Sequence, residues 1–84
     1  MGAFMVERNL KGISMEALAS AQAAAITKTE GTEVTYVRST FVPEDGRSFC
    51  LFKGPDAEAI KAVNDAAGLP YSAVTPAMDI GRPA

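Results

Sequence analysis

Residues 36–52, YVRSTFVPEDGRSFCLF, constrain the fold more than any other part of this 84-residue chain. Two runs of β-branched, aromatic and other apolar residues flank Pro43 and the turn at residues 44–46. Asp-Gly in that turn supplies the positive φ angles of a tight hairpin, and proline ends a strand because it lacks an N–H donor. The segment therefore predicts a β-hairpin with strands over residues 33–42 and 47–53.

Two further strands and two helices are predicted outside the hairpin. Residues 3–8 alternate with a period of two, which is typical of a half-buried strand. Ser14 is a suitable N-cap for an Ala-rich helix over residues 15–28, and Asp56 is a suitable N-cap for a second helix. Residues 71–80 are predicted to form a last, irregular strand that a proline confines to a sheet edge or a bulge.

The element order βαββαβ predicts one ferredoxin-like α+β domain over residues 1–84, with an antiparallel sheet and both helices on one face. Alternation along the strands divides the side chains between the two faces. The helix-facing set is predicted to be Phe4, Val6, Val37, Phe49 and Leu51. The opposite set is predicted to be Met5, Glu7, Tyr36, Arg38, Cys50 and Phe52. Since the second set is too apolar for plain solvent exposure, we expect a ligand or a second subunit to cover it, and we expect a homodimer.

Composition excludes several classes of partner. The net charge is -2 with both signs interspersed, and no basic stripe or Lys/Arg cluster is present. Neither nucleic acid nor a membrane surface is therefore an expected partner. No apolar stretch approaches the roughly 20 residues of a membrane-spanning helix. The single cysteine allows no internal disulfide, so we expect a cytoplasmic location.

A carboxylate, a guanidinium and a thiol are predicted to share the open face of the sheet. In one interpretation Glu7 and Cys50 ligate a metal ion. In another, Glu7, Tyr36, Arg38, Cys50 and Phe52 enclose a small organic anion, with Arg38 holding its carboxylate or phosphate. Beside these two functional interpretations, the same residues can have purely structural roles. Glu7 and Arg38 would then be a cross-strand ion pair, and Cys50 a small buried hydrophobe.

Three segments are similar to one bacterial family: FMVERNL at residues 4–10, RSTFVPEDGRSFCLF at 38–52 and AIKAVNDAAGLPYSAV at 59–74. It is catalogued as domain of unknown function 4242, and its best-described members are small nickel-binding proteins with a dimeric ferredoxin-like fold. The resemblance implies a homodimer that binds a divalent metal, nickel first, for buffering or sequestration rather than catalysis.

One departure from the family pattern bears on nickel. Many relatives carry a His where this chain has Arg38, and this chain contains no His at all. Imidazole is the usual nitrogen ligand for nickel, and Arg cannot deprotonate to bind a metal. If metal binds, Glu7, Cys50 and surface carboxylates must therefore supply the ligands.

Two functions remain as leading hypotheses, beside a third possibility that the chain is an accessory interaction module with no small-molecule site. None of them decides whether the chain is an enzyme. The first is divalent metal binding. The second is a pocket on the open sheet face for a small organic molecule, in a simple binder or a cofactor-independent enzyme, by analogy with other dimeric ferredoxin-like domains. The missing His counts against the first hypothesis, and Arg38 suits an anionic ligand in the second.

Overall fold

The computed structural model describes residues 2–78 and 80 and has the predicted order of elements. The strands and helices are β1 (Gly2–Asn9), α1 (Met15–Thr29), β2 (Thr35–Val42), β3 (Arg47–Gly54), α2 (Ala57–Ala66) and β4 (Ala73–Ala77). The strands form one antiparallel sheet in the order β2-β3-β1-β4. This arrangement confirms the ferredoxin-like α+β fold. The last strand is shorter than predicted, and Asp79 of the predicted range lies outside the described residues.

Both helices begin at the predicted N-caps. The Ser14 hydroxyl accepts a hydrogen bond from the Ala17 N–H at 3.0 Å, and the Asp56 carboxylate accepts one from the Ala59 N–H at 2.9 Å. Each cap satisfies a backbone donor that the helix itself leaves without a partner.

The turn between β2 and β3 requires glycine at position 46 for two reasons. Gly46 has φ 75°, a conformation that L side chains rarely adopt. A Cβ at this position would also lie 2.3 Å from Lys11 Cα. The close approach allows the Gly46 carbonyl to accept a hydrogen bond from the Leu10 N–H at 2.7 Å. The hairpin tip thereby fixes the loop between β1 and α1.

The predicted face assignment is wrong for β3. In the register, Cys50 lies opposite Val6 and Phe52 lies opposite Phe4, so Cys50 and Phe52 face the helices. The two β3 residues that were predicted to face the helices lie on the other side of the sheet, namely Phe49 and Leu51. The segment FCLF is apolar at every position, so its own alternation carries no information about which face is inward.

The predicted face assignment is also wrong for Tyr36, because β2 contains a bulge. Tyr36 pairs with Phe52 and Arg38 pairs with Leu51, whereas Val37 between them has no partner in the ladder. One extra residue in a strand reverses the alternation beyond it. Tyr36 therefore faces the helices, and Arg38 faces away from them as predicted.

The hydrophobic core lies between the sheet and the two helices. Its buried members are Phe4, Val6, Ala25, Val34, Cys50, Phe52, Ile60 and Val63. Three polar side chains are also buried: Arg8, Ser48 and Asn64. Neither helix in the described part of the chain is long and apolar enough to cross a membrane.

Candidate functional site

A cavity of about 220 Å³ lies between α1 and the helix-facing side of the sheet. The residues that α1 contributes to its wall are Met15, Leu18, Ala19, Ala21, Gln22 and Ala25. Alanine side chains fill little of the space between a helix and a sheet, and Ala25 is the only buried residue of α1. The Ala-rich composition of this helix therefore accounts for the space beneath it.

The opposite wall of the cavity comes from three strands. Its residues are Arg8, Tyr36, Ser39, Phe41, Ser48 and Cys50. The register explains why they meet, because Arg8 and Phe41 both lie opposite Ser48, and Ser39 lies opposite Cys50. Leu10 and Leu69 complete the lining. An apolar enclosure with a few convergent polar groups is the usual composition of a small-molecule site.

A chain of hydrogen bonds runs from α1 across the cavity wall to the thiol. Gln22 Nε2 donates to Tyr36 Oη at 2.9 Å, and Tyr36 Oη lies 2.7 Å from Ser39 Oγ. Ser39 Oγ donates to Cys50 Sγ at 3.0 Å. Because Ser39 has one hydroxyl proton, Tyr36 must be the donor to Ser39. The chain holds Tyr36 and the Cys50 sulfur in fixed positions on the wall.

Arg8 is a buried cation at the same wall, with only 4% of its surface exposed. Its Nη2 donates to Asn64 Oδ1 at 2.5 Å, and its Nη1 donates to the Pro70 carbonyl at 3.1 Å. Asn64 is completely buried, and its Nδ2 donates to the Ile60 carbonyl at 2.8 Å. Both acceptors of Arg8 are neutral. Among the residues that the structure describes, this guanidinium is held by dipoles and has no ion-pair partner, whereas a buried guanidinium is usually accompanied by a counter-charge.

Sequence analysis did not identify Arg8 or Asn64 as site residues. The signal for Arg8 was present, since position 8 continues the inward series of Phe4 and Val6 along β1. A charged residue in an inward position of a strand is uncommon and indicates a special environment. Asn64 had no comparable signal, because a polar residue on a helix is ordinarily exposed.

Glu7 lies on the open face of the sheet and pairs with Arg47 rather than with Arg38. Glu7 Oε1 is 2.8 Å from Arg47 Nη2, and both side chains are substantially exposed. The Arg47 guanidinium also lies over the Phe49 ring, 5.0 Å from its centroid. This cluster resembles a surface ion pair more than an enclosed site.

The five predicted ligand-binding residues do not share one face. Tyr36, Cys50 and Phe52 lie on the helix-facing side, where the Tyr36 and Phe52 rings meet edge to face at 5.5 Å. Glu7 and Arg38 lie on the other side of the sheet. The cavity is likewise on the helix-facing side, not on the open face where a pocket was predicted.

The fold and the cavity together define a class: a small ferredoxin-like α+β domain with a partly open cavity beneath an Ala-rich helix. The model of the family described as nickel responsive protein SCO4226-like matches residues 4–76, and the chain belongs to this family. The resemblance inferred from the sequence is thereby confirmed.

A solved structure supports the same assignment. The crystal structure of SCO4226 from Streptomyces coelicolor A3(2) is similar to this chain with a TM-score of 0.84 and 26% sequence identity. The similarity covers 94% of this chain and 99% of that chain. No curated protein sequence matches significantly.

The family description names nickel, but the donor groups of this chain do not fit a nickel site within one subunit. The chain has no His and a single Cys. Glu7 and Cys50, the two predicted metal ligands, point to opposite sides of the sheet, because Cys50 lies opposite Val6 and not opposite Glu7. Among residues 2–78 and 80, no three His, Cys, Asp or Glu residues are grouped so that they could hold a metal ion.

Proposed function

We propose that this protein binds a small organic molecule in the cavity between α1 and the sheet. The observation that carries the proposal is the cavity itself, which has alanine and leucine on its helical side and hydroxyl, thiol and guanidinium groups on its sheet side. A ligand with an apolar body and a polar head suits such a lining. The proposal keeps the organic ligand predicted from the sequence and moves its site to the other side of the sheet.

The size of the cavity limits the ligand to about one ring. Sites for drug-sized molecules occupy roughly 300–1,000 Å³, whereas a cavity of roughly 150 Å³ holds benzene. The 220 Å³ beneath α1 falls between these limits. Phenylacetate and phenylacetamide are suitable probes, since each combines one ring with a short polar head. At about 0.3 kcal/mol or somewhat more per non-hydrogen atom, we expect millimolar dissociation constants or better.

Binding of these probes is measured by titrating ¹⁵N-labelled protein and following the backbone amide shifts. We expect shifts at Ala21, Ala25 and Cys50, which line the cavity. Ala21→Leu should weaken them, because the leucine side chain occupies part of the space. Ala23→Leu is the matched control, because Ala23 lies exposed on the same helix. The highest probe concentration is about 10 mM, on the order of the expected dissociation constants. If neither probe shifts these amides at that concentration, the proposal is wrong.

Divalent metal binding is the second candidate function, and family membership supports it. In this chain the ligands would be Cys50 with neighbouring hydroxyls in the cavity, or Glu7 on the open face, but not both at one ion. Native mass spectrometry of untagged protein with added nickel tests this candidate, since an affinity tag would add the His residues that the chain lacks. Nickel uptake in defined stoichiometry that Cys50→Ser or Glu7→Gln removes would support it, and uptake unchanged by both substitutions would reject these ligands.

Homodimerisation through the open sheet face also belongs to the proposal. That face carries the half-buried Met5 and Phe49, with Leu51 already buried between the strands, and apolar sheet faces are commonly covered by a second copy. Sedimentation equilibrium measures the mass directly. We expect a dimer for wild-type protein and a monomer for Phe49→Glu. Wild-type protein that stays monomeric up to about 1 mM, near the weak limit of specific association, would contradict the proposed homodimer.

A further inference from the structure

We infer that the natural ligand of the cavity is a monocarboxylate whose carboxylate pairs with Arg8 while its apolar body lies against α1. This inference rests on the proposed function and specifies the chemical class of the ligand. It follows from the state of Arg8, which lines the cavity and is almost completely buried.

The first step of the argument is the charge balance around Arg8. In the described part of the chain the ion pairs are Arg47 with Glu7 and Lys61 with Glu58, and Arg8 takes part in neither. Removing a guanidinium from water without a counter-ion is unfavourable, and neutral amide and carbonyl groups offset only part of that cost. An anion in the adjoining cavity would supply the missing charge.

The second step is the geometry that holds Arg8. Asn64 Nδ2 donates to the Ile60 carbonyl, which fixes the amide so that Oδ1 accepts from Arg8 Nη2. The Pro70 carbonyl accepts from Nη1. These bonds use two of the five N–H donors of the guanidinium, so the others remain for water or for a ligand. A planar carboxylate matches the fork geometry of such a group.

The third step limits the number of charges on the ligand. Arg8 is the only charged residue among the described residues that line the cavity. A second negative charge on the ligand would therefore have no cation to meet. Ser48, which lies opposite Arg8 in the sheet and is itself buried, offers a hydroxyl beside the same position. A single carboxylate is thus the head group that the lining accommodates best.

The test compares phenylacetate with phenylacetamide, which share a shape and differ in charge. We expect the acid to bind wild-type protein at least about tenfold more tightly, since Arg8 is charged with either probe and only the acid adds a full opposite charge beside it, away from water. Equal affinities would overturn the inference and leave the proposed function intact, whereas binding of neither probe would remove both. Ala23→Leu should retain the wild-type ratio, as its side chain lies outside the cavity.

Two variants assign the preference to Arg8. Arg8→Met keeps an unbranched apolar side chain and removes its charge, so the ratio of the two affinities should fall to about one or reverse, as no cation remains to pair with the carboxylate. Asn64→Asp places a counter-ion beside Arg8 from within the protein, and the ratio should fall likewise or reverse. An acid preference that survives in Asn64→Asp would overturn the inference even if Arg8→Met failed to fold. The ¹⁵N signals of the Arg8 guanidinium should shift with the acid and not with the amide, which a purely structural role does not predict.

Discussion

Filling part of the cavity beneath α1 should stabilise the protein while it weakens the binding of ligand. Ala21→Leu adds three carbon atoms at a position where the helix faces the 220 Å³ space. At about 0.8 kcal/mol for each buried methylene, full burial would contribute up to about 2.4 kcal/mol. Ordering the leucine side chain costs about 0.5–1 kcal/mol and its lower helix propensity a few tenths more. The expected net gain in the free energy of unfolding is therefore about 1–1.5 kcal/mol.

Urea denaturation followed by far-UV circular dichroism measures this gain. The chain contains no Trp, so helix content is a better signal than fluorescence. The midpoint should rise with an unchanged slope, which shows that stability changed and not the extent of unfolding. For a domain of this size, a gain of about 1–1.5 kcal/mol corresponds to a rise in melting temperature of roughly 5–10 °C.

Ala23→Leu separates the effect of the cavity from the effect of a larger residue on the helix. Ala23 is exposed, so its replacement should change the free energy of unfolding by no more than about 0.5 kcal/mol. If Ala21→Leu instead destabilised the protein by about 1–3 kcal/mol relative to Ala23→Leu, the side chain would be overpacking a space that is already filled. That result would refute both the cavity and the function argued from it.

Three further substitutions test contacts elsewhere in the fold. Asn64→Ala should destabilise the protein by about 2–4 kcal/mol in urea denaturation, because it leaves the buried Arg8 without one of its two acceptors. A loss below about 1 kcal/mol would mean that water replaces the amide. A double-mutant cycle of Glu7→Ala and Arg47→Ala should give a coupling energy below about 1 kcal/mol that falls further in high salt, as the pair is exposed. A coupling energy above about 2 kcal/mol would indicate that the ion pair is shielded from water. Gly46→Ala should cost at least about 2 kcal/mol or prevent folding, given its positive φ and the loop packed against it; thermal denaturation within a few degrees of wild type would contradict the close approach.

The fold was predictable from the sequence because its signals are local. The turn at Gly46, the caps at Ser14 and Asp56 and the alternation along β1 each depend on a few neighbouring residues, and the structure has all of them. The order of the elements then leaves few topologies to choose from. The end of the last strand was less predictable, since the ladder there depends on how far β1 extends beside it.

The candidate site was predicted less well because it depends on which side of the sheet each residue faces. Cys50 was identified as a chemical group of interest, and it does line the cavity, but it was placed on the wrong face. In β3 the apolar sequence hides the alternation, and only pairing with β1 determines it. The role of Asn64 depends on its distance from Arg8, 56 positions away in the chain, which no local pattern reports.

The bulge at Val37 determines which side chains of β2 line the cavity. Tyr36 on one side of it belongs to the cavity wall, and Arg38 on the other side belongs to the outer surface. Removing one residue here would restore the regular ladder. The half of the strand that shifts would then turn its side chains to the opposite face of the sheet. A relative could therefore acquire a different cavity lining through a single deletion, with every other amino acid retained. Equivalent positions in β2 of such a relative must accordingly be matched by the side of the sheet they occupy and not by their order in the chain.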